Sequence, residues 1–146
     1  MAGSFVKAHP QTYLAHRMAE MARGAYIARL DLAEPHLSGV ARKIASQRAA
    51  LDRAGLGTTL YALHHGAIMA DGRALRPVTG GHVARRLAHY RHFWRETGRD
   101  LDGAAFLYIR FQGAGPGLLG LLSEFRTRSP HAPILLEMPT WPYREE

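Results

Sequence analysis

The chain has 146 residues, 47% of them hydrophobic, with 19 Lys+Arg against 12 Asp+Glu and a net charge of +7. That length supplies one ordinary core and leaves no room for a second domain. The lack of cysteine excludes a disulfide framework and a thiolate metal site. The positive balance points to an anionic partner: a phosphorylated ligand, nucleic acid or an acidic membrane surface.

Residues 1–24 read as an N-terminal extension, in which Thr12 to Arg23 place Leu14, Met18 and Met21 on one sparse helical face. Met1 to Pro10 has no apolar signal-peptide core, and no later stretch approaches the roughly 18 apolar residues of a membrane span. The expected location is therefore cytoplasmic, with any contact to an inner membrane peripheral. Residues 25–146 form the domain. Ala25 to Asp31 reads as a first strand and Leu32 to His36, broken by Pro35, as the loop leaving it. A helix follows, with Ser38 as its N-cap, Val40, Ile44 and Leu51 on its apolar face and Gly55 as its stop. Thr58 to Leu63 is a second strand, and Asp71-Gly72 favours a hairpin turn.

From Gly81 to Gly98, Val83, Leu87, Tyr90 and Trp94 repeat at helical spacing, with Arg85, Arg86, His89 and His92 on the other face. Ala105 to Arg110 is too apolar for a strand with one wet face and belongs inside a sheet. The glycine-rich loop Gly113 to Gly117 leads into a helix facing inward with Leu118, Leu121, Leu122 and Phe125. Ile134 to Met138 reads as a buried strand that, through Glu137 and a turn locked by two prolines, delivers Glu137, Thr140 and Tyr143 to a sheet rim. Ending on a rim, the sequence is expected to continue beyond Glu146 in the parent protein. The predicted fold is α/β, a Rossmann-like, mostly parallel sheet covered by helices.

Several constellations compete for function. Gly39, at the start of the first helix, lets backbone approach a ligand, though serine and glycine also simply start helices. Gly115-Pro-Gly-Leu-Leu-Gly120 fits G-x-G-x-x-G, with Glu137 near the roughly 20-residue offset of a ribose-binding acid. Pro116, however, has no N–H to offer a phosphate. This is the alternative reading, an NAD- or FAD-binding Rossmann unit; a third is a basic binding module resting on charge alone. The histidines do not form a metal site: His64 and His65 are adjacent and would point to opposite faces of a strand, and His89 and His92 lack a carboxylate at ligand spacing. No nucleic-acid motif accompanies the basic face of Arg85, Arg86 and Arg95, so nucleic acid is not an expected partner.

Three segments together resemble one family. Ser38-Gly-Val-Ala-Arg-Lys-Ile-Ala-Ser-Gln-Arg-Ala-Ala-Leu51, Phe106-Leu-Tyr-Ile-Arg110 and Leu136-Glu-Met-Pro-Thr-Trp-Pro-Tyr143 are similar, in this order, to segments of bacterial family-four-like glycosyltransferases of the two-domain GT-B architecture. The last segment there usually reads Glu-Ile-Pro-Thr-Tyr-Pro-Tyr-Asp. Met138, Trp141 and Arg144 depart from it, Arg144 by replacing an acid. The resemblance covers residues 25 to 146 and only the N-terminal half of such an enzyme. It implies an acceptor-side domain of a protein that moves sugar from a nucleotide-sugar donor to a glycan or lipid-linked acceptor, without metal or cofactor. It also implies that the isolated half is inactive, because the donor-binding half is not here. The site residues it implies are Gly39, Glu137, Thr140 and Tyr143, joined by Arg110 at the neighbouring strand end. No catalytic base is implied.

Overall fold

The computed structural model describes residues 23–76, 81 and 92–138. Strand β1 (Gly24–Asp31) is followed by a 3-10 turn (Pro35–Leu37) and helix α1 (Ser38–Arg53). Strands β2 (Thr58–His64), β3 (Ala67–Ala70) and β4 (Arg73–Arg76) come next, then helical residues 92–99, here α2. Strand β5 (Leu107–Arg110), helix α3 (Pro116–Arg128) and strand β6 (Ile134–Glu137) complete the described chain. The sheet order is β4-β3-β2-β1-β5-β6. β1, β2, β5 and β6 are parallel, and β3 and β4 add an antiparallel edge. This is the expected Rossmann-like α/β architecture.

Strand alternation divides the core in two. Ala25, Ile27, Tyr61, Leu63, Leu107 and Ile109 pack against Phe93 and Trp94 of α2 and Leu118, Leu121 and Phe125 of α3. On the opposite face Tyr26 and Ala28 pack against Ile44 of α1, with Val40, Leu51 and Tyr108 around them. The chain leaves β1 toward β2 on one side and reaches β5 on the other. The crevice at the ends of β1 and β5 is therefore the topological switch point, where open α/β sheets bind ligands.

Three expectations change. Ser38 is the first residue of α1 rather than its cap; Leu37 holds the cap position and no side chain caps the helix. The 3-10 turn runs straight into α1 and the Ser38 N–H already donates to the Pro35 carbonyl, which replaces a side-chain cap. His65 is not in a strand: at φ 48 it forms with Gly66, at φ 79, a left-handed turn between β2 and β3. The His64 and His65 rings consequently meet edge to face at 4.5 Å. β6 is not buried on both faces, since Leu135 and Leu136 are each 46% exposed on a strand with no further neighbour among the described residues. The Asp71-Gly72 hairpin forms as expected, with φ of 46 and 81. Residues 12–22 of the helix expected over Thr12 to Arg23, residues 82–91 of the one expected from Gly81 to Gly98, and Thr140 and Tyr143 lie outside the described residues.

Candidate functional site

Parallel register brings the polar residues of the α1 face together. Tyr26 lies beside Tyr108, Tyr108 beside Leu135, and Arg110 beside Glu137. The tyrosine rings stack at 4.8 Å. At the strand ends Arg110 Nη1 donates to Glu137 Oε1 at 2.6 Å, with the side chains only 8% and 11% exposed. Lys43 Nζ reaches the same oxygen at 3.2 Å from the half-exposed surface of α1. Tyr26 donates its hydroxyl to Gln47 Oε1 at 2.7 Å and lies 3.3 Å from Glu137 Oε2.

Helical spacing explains the convergence. Gly39, Lys43 and Gln47 recur at i, i+4 and i+8 and form one stripe of α1, beside the apolar stripe of Val40, Ile44 and Leu51. Burial disfavours the Glu137 anion, but hydrogen bonds from Gln47 and Lys43 and the charge of Arg110 outweigh it and hold the carboxyl below its ordinary range. Burial, followed by the Glu137 charge, pushes the Tyr26 and Tyr108 hydroxyls up, and the two are bridged by Gln47, whose Oε1 accepts from Tyr26 and whose Nε2 donates to the Tyr108 hydroxyl at 3.5 Å.

Of the residues expected at the site, the structure joins Arg110 directly to Glu137 and sets Gly39 one helical turn before the lysine that completes the cluster. A Cβ on Gly39 would meet nothing within 4 Å, so no packing contact demands glycine there. Sequence reasoning passed over Lys43, Gln47, Tyr26 and Tyr108. The polar i, i+4, i+8 stripe on α1 was the signal that could have found the first two.

The glycine fingerprint has a structural cause at one position. A Cβ on Gly117 would lie 2.6 Å from Trp94 Cδ1, so its lack of a side chain lets α3 approach the indole. Among the described residues no group of three or more His, Cys, Asp or Glu is placed to hold a metal ion, and no helix is long and apolar enough to cross a membrane. Comparisons with family models, curated proteins and solved structures gave no match.

Proposed function

We propose that this chain is the N-terminal, acceptor-side half of a glycosyltransferase that transfers sugar from a nucleotide-sugar to an acceptor hydroxyl. One observation carries the reading: the three segments that resemble the family lie far apart in sequence, yet Lys43, Arg110 and Glu137, one from each, share a single carboxylate. They meet at the C-terminal ends of parallel strands, the edge at which such sheets bind ligands. In this reading the buried pair fixes the rim, while Gly39 and Lys43 border the acceptor. Nucleotide-sugar and a glycan or lipid-linked acceptor are the proposed partners, and an inner membrane is the surface on which a lipid-linked acceptor would be met. The work of such a half is to align the acceptor hydroxyl and exclude water, because alignment and a dry site contribute much of the barrier lowering in group transfer.

The test uses the parent protein with sugar-labelled nucleotide donors and glycan and lipid-linked acceptor fractions. Wild type should form labelled glycoside. Gly39→Leu should abolish transfer without lowering the melting temperature, because a Cβ at this helical position meets nothing within 4 Å. Absence of transfer from every donor would refute the activity; full activity in Gly39→Leu would remove Gly39 from the site.

A further inference from the structure

We propose that Arg76, Arg95 and Arg99, gathered on Glu96 at the β4 edge of the sheet, form a site for a phosphate monoester. Arg76 closes β4, the edge strand, while Arg95, Glu96 and Arg99 lie on α2. Arg76 Nη1, Arg95 Nη2 and Arg99 Nη1 approach the same oxygen, Glu96 Oε1, at 3.4, 3.2 and 3.4 Å. Three guanidinium charges thus share one carboxylate, which leaves two of them uncompensated. Among the described residues this imbalance is particular to Glu96. Glu137 and Asp71 each serve two cations, Arg73 pairs one to one with Asp100, and Arg128 spans both Asp102 and Glu124.

The carboxylate forms the floor of the cluster and the guanidiniums its open face. The Glu96 side chain is only 14% exposed, whereas the three arginine side chains run from 46 to 67%. Burial disfavours the Glu96 anion, but hydrogen bonds from Arg95 and Arg76 and the charge of Arg99 hold the carboxyl below its ordinary range. It therefore stays charged at physiological pH and keeps the three cations together. Arg95 is the most committed of them: Nε and Nη2 both donate to Glu96, and Nη2 also lies 2.8 Å from His92 Nδ1. Arg76 and Arg99 reach Glu96 through Nη1. Their Nε and Nη2 groups form the other fork of the guanidinium, the one that grips two oxygens of a phosphate in parallel. A second anion over the cluster relieves the repulsion among three like charges that one carboxylate does not balance. A phosphate monoester brings about −1.5 to −2 at neutral pH and three acceptor oxygens, which matches the excess; a diester, with a single charge, leaves about half of it. The net charge of +7 favours an anion throughout. This site does not depend on the transferase reading.

Titration of the isotopically labelled chain with glycerol 3-phosphate, followed at the arginine Nε–H signals, tests it. The Arg76 and Arg99 signals should shift saturably, and dimethyl phosphate, a diester, should bind at least about tenfold more weakly. Arg76→Gln and Arg99→Gln should each weaken binding about tenfold by removing one fork, and the double variant should abolish it. Both side chains sit in exposed ion pairs, so circular dichroism should stay native in all three variants. Arg53→Gln removes an equal charge from α1, on the opposite face of the sheet, and should leave binding unchanged. Equal weakening by Arg53→Gln, equal affinity for dimethyl phosphate, or no saturable shift at Arg76 and Arg99 would overturn the proposal. Phosphatidylcholine vesicles carrying phosphatidic acid, a monoester, or phosphatidylglycerol, a diester, identify the source. Binding to phosphatidic acid that depends on Arg76 and Arg99 assigns a lipid headgroup, and binding to glycerol 3-phosphate without it assigns a soluble ligand. Equal binding to both vesicles would count against a monoester site.

Discussion

Arg110 and Lys43 meet the same Glu137 oxygen, yet their burial gives them different weights. Arg110 and Glu137 are nearly out of solvent, whereas the Lys43 side chain is 50% exposed. Removing one partner of a buried pair strands the other, at a typical cost of about 3 to 5 kcal/mol, while an exposed bridge contributes about 1 kcal/mol or less. Glu137→Gln should therefore lower unfolding free energy by about 3 to 5 kcal/mol and Lys43→Met by no more than about 1. Denaturant unfolding of both variants checks the order, and equal losses would show that burial does not set it. The carboxyl is held below its ordinary range, so the Glu137 contribution is complete above the unfolded carboxylate value of about 4.3 and is lost as pH falls through the folded one. The stability gap between wild type and Glu137→Gln should narrow below about pH 4. A gap constant down to the acid transition would mean that the carboxylate is not the group responsible. Activity in these variants has to be divided by the folded fraction; loss that only tracks unfolding would leave the pair as scaffolding.

Helix α3 shows how one loop can carry glycines for unlike reasons. Gly117→Ala forces a Cβ to within 2.6 Å of a buried indole and should cost about 1 to 3 kcal/mol, as overpacking does. Gly115→Ala has extended backbone and open space, and should be neutral or stabilise by up to about 1 kcal/mol through the unfolded chain. Thermal unfolding of the two alanine variants checks this; equal effects would remove Trp94 as the cause. The same contrast shows what sequence could disclose. β1, β2, α1 and α3 were legible because long apolar patterns have few alternatives, and the four-residue β5 because it lies in a run too apolar for a strand with one wet face. The β3 and β4 strands are four residues each, and β4 begins and ends on exposed Arg73 and Arg76, so only the Asp71-Gly72 turn announced them. The apolar run Ile134 to Leu136 looked buried on both faces because composition cannot distinguish an edge strand from a central one. At the site, Arg110 and Glu137 could be paired from neighbouring strand ends. Lys43 and Gln47 were signalled only by their shared stripe on α1, which could not be placed on Glu137 because a polar helix face reads as solvated until the sheet beneath it is known.

At the scale of the whole molecule, one sheet holds two cores, and each contains a tyrosine hydroxyl whose ionisation the fold resists. Tyr26 lies in the α1 core with its hydroxyl on Gln47, and Tyr61 lies in the other core, donating to Asp100. Burial first, and then the Glu137 and Asp100 charges respectively, pushes both hydroxyls well above the ordinary value. For a group whose folded pKa is raised, the contribution to stability is fully present below the unfolded value, about 10 for tyrosine, and is lost as pH rises toward the folded one. Because β1 is shared by both cores, charging either tyrosine should open the sheet as a unit. Tyrosine ionisation should therefore have a late phase above pH 10, in which Tyr26 and Tyr61, with Tyr108 also held up by burial, ionise as the far-ultraviolet circular dichroism signal is lost, after a first phase from any tyrosine left at its ordinary value. Tyr26→Phe should remove one tyrosinate from the second phase and leave the first unchanged. Simultaneous ultraviolet absorbance and circular dichroism measure both phases, and a single ionisation step near pH 10 with retained native signal would show that neither hydroxyl is held by the fold.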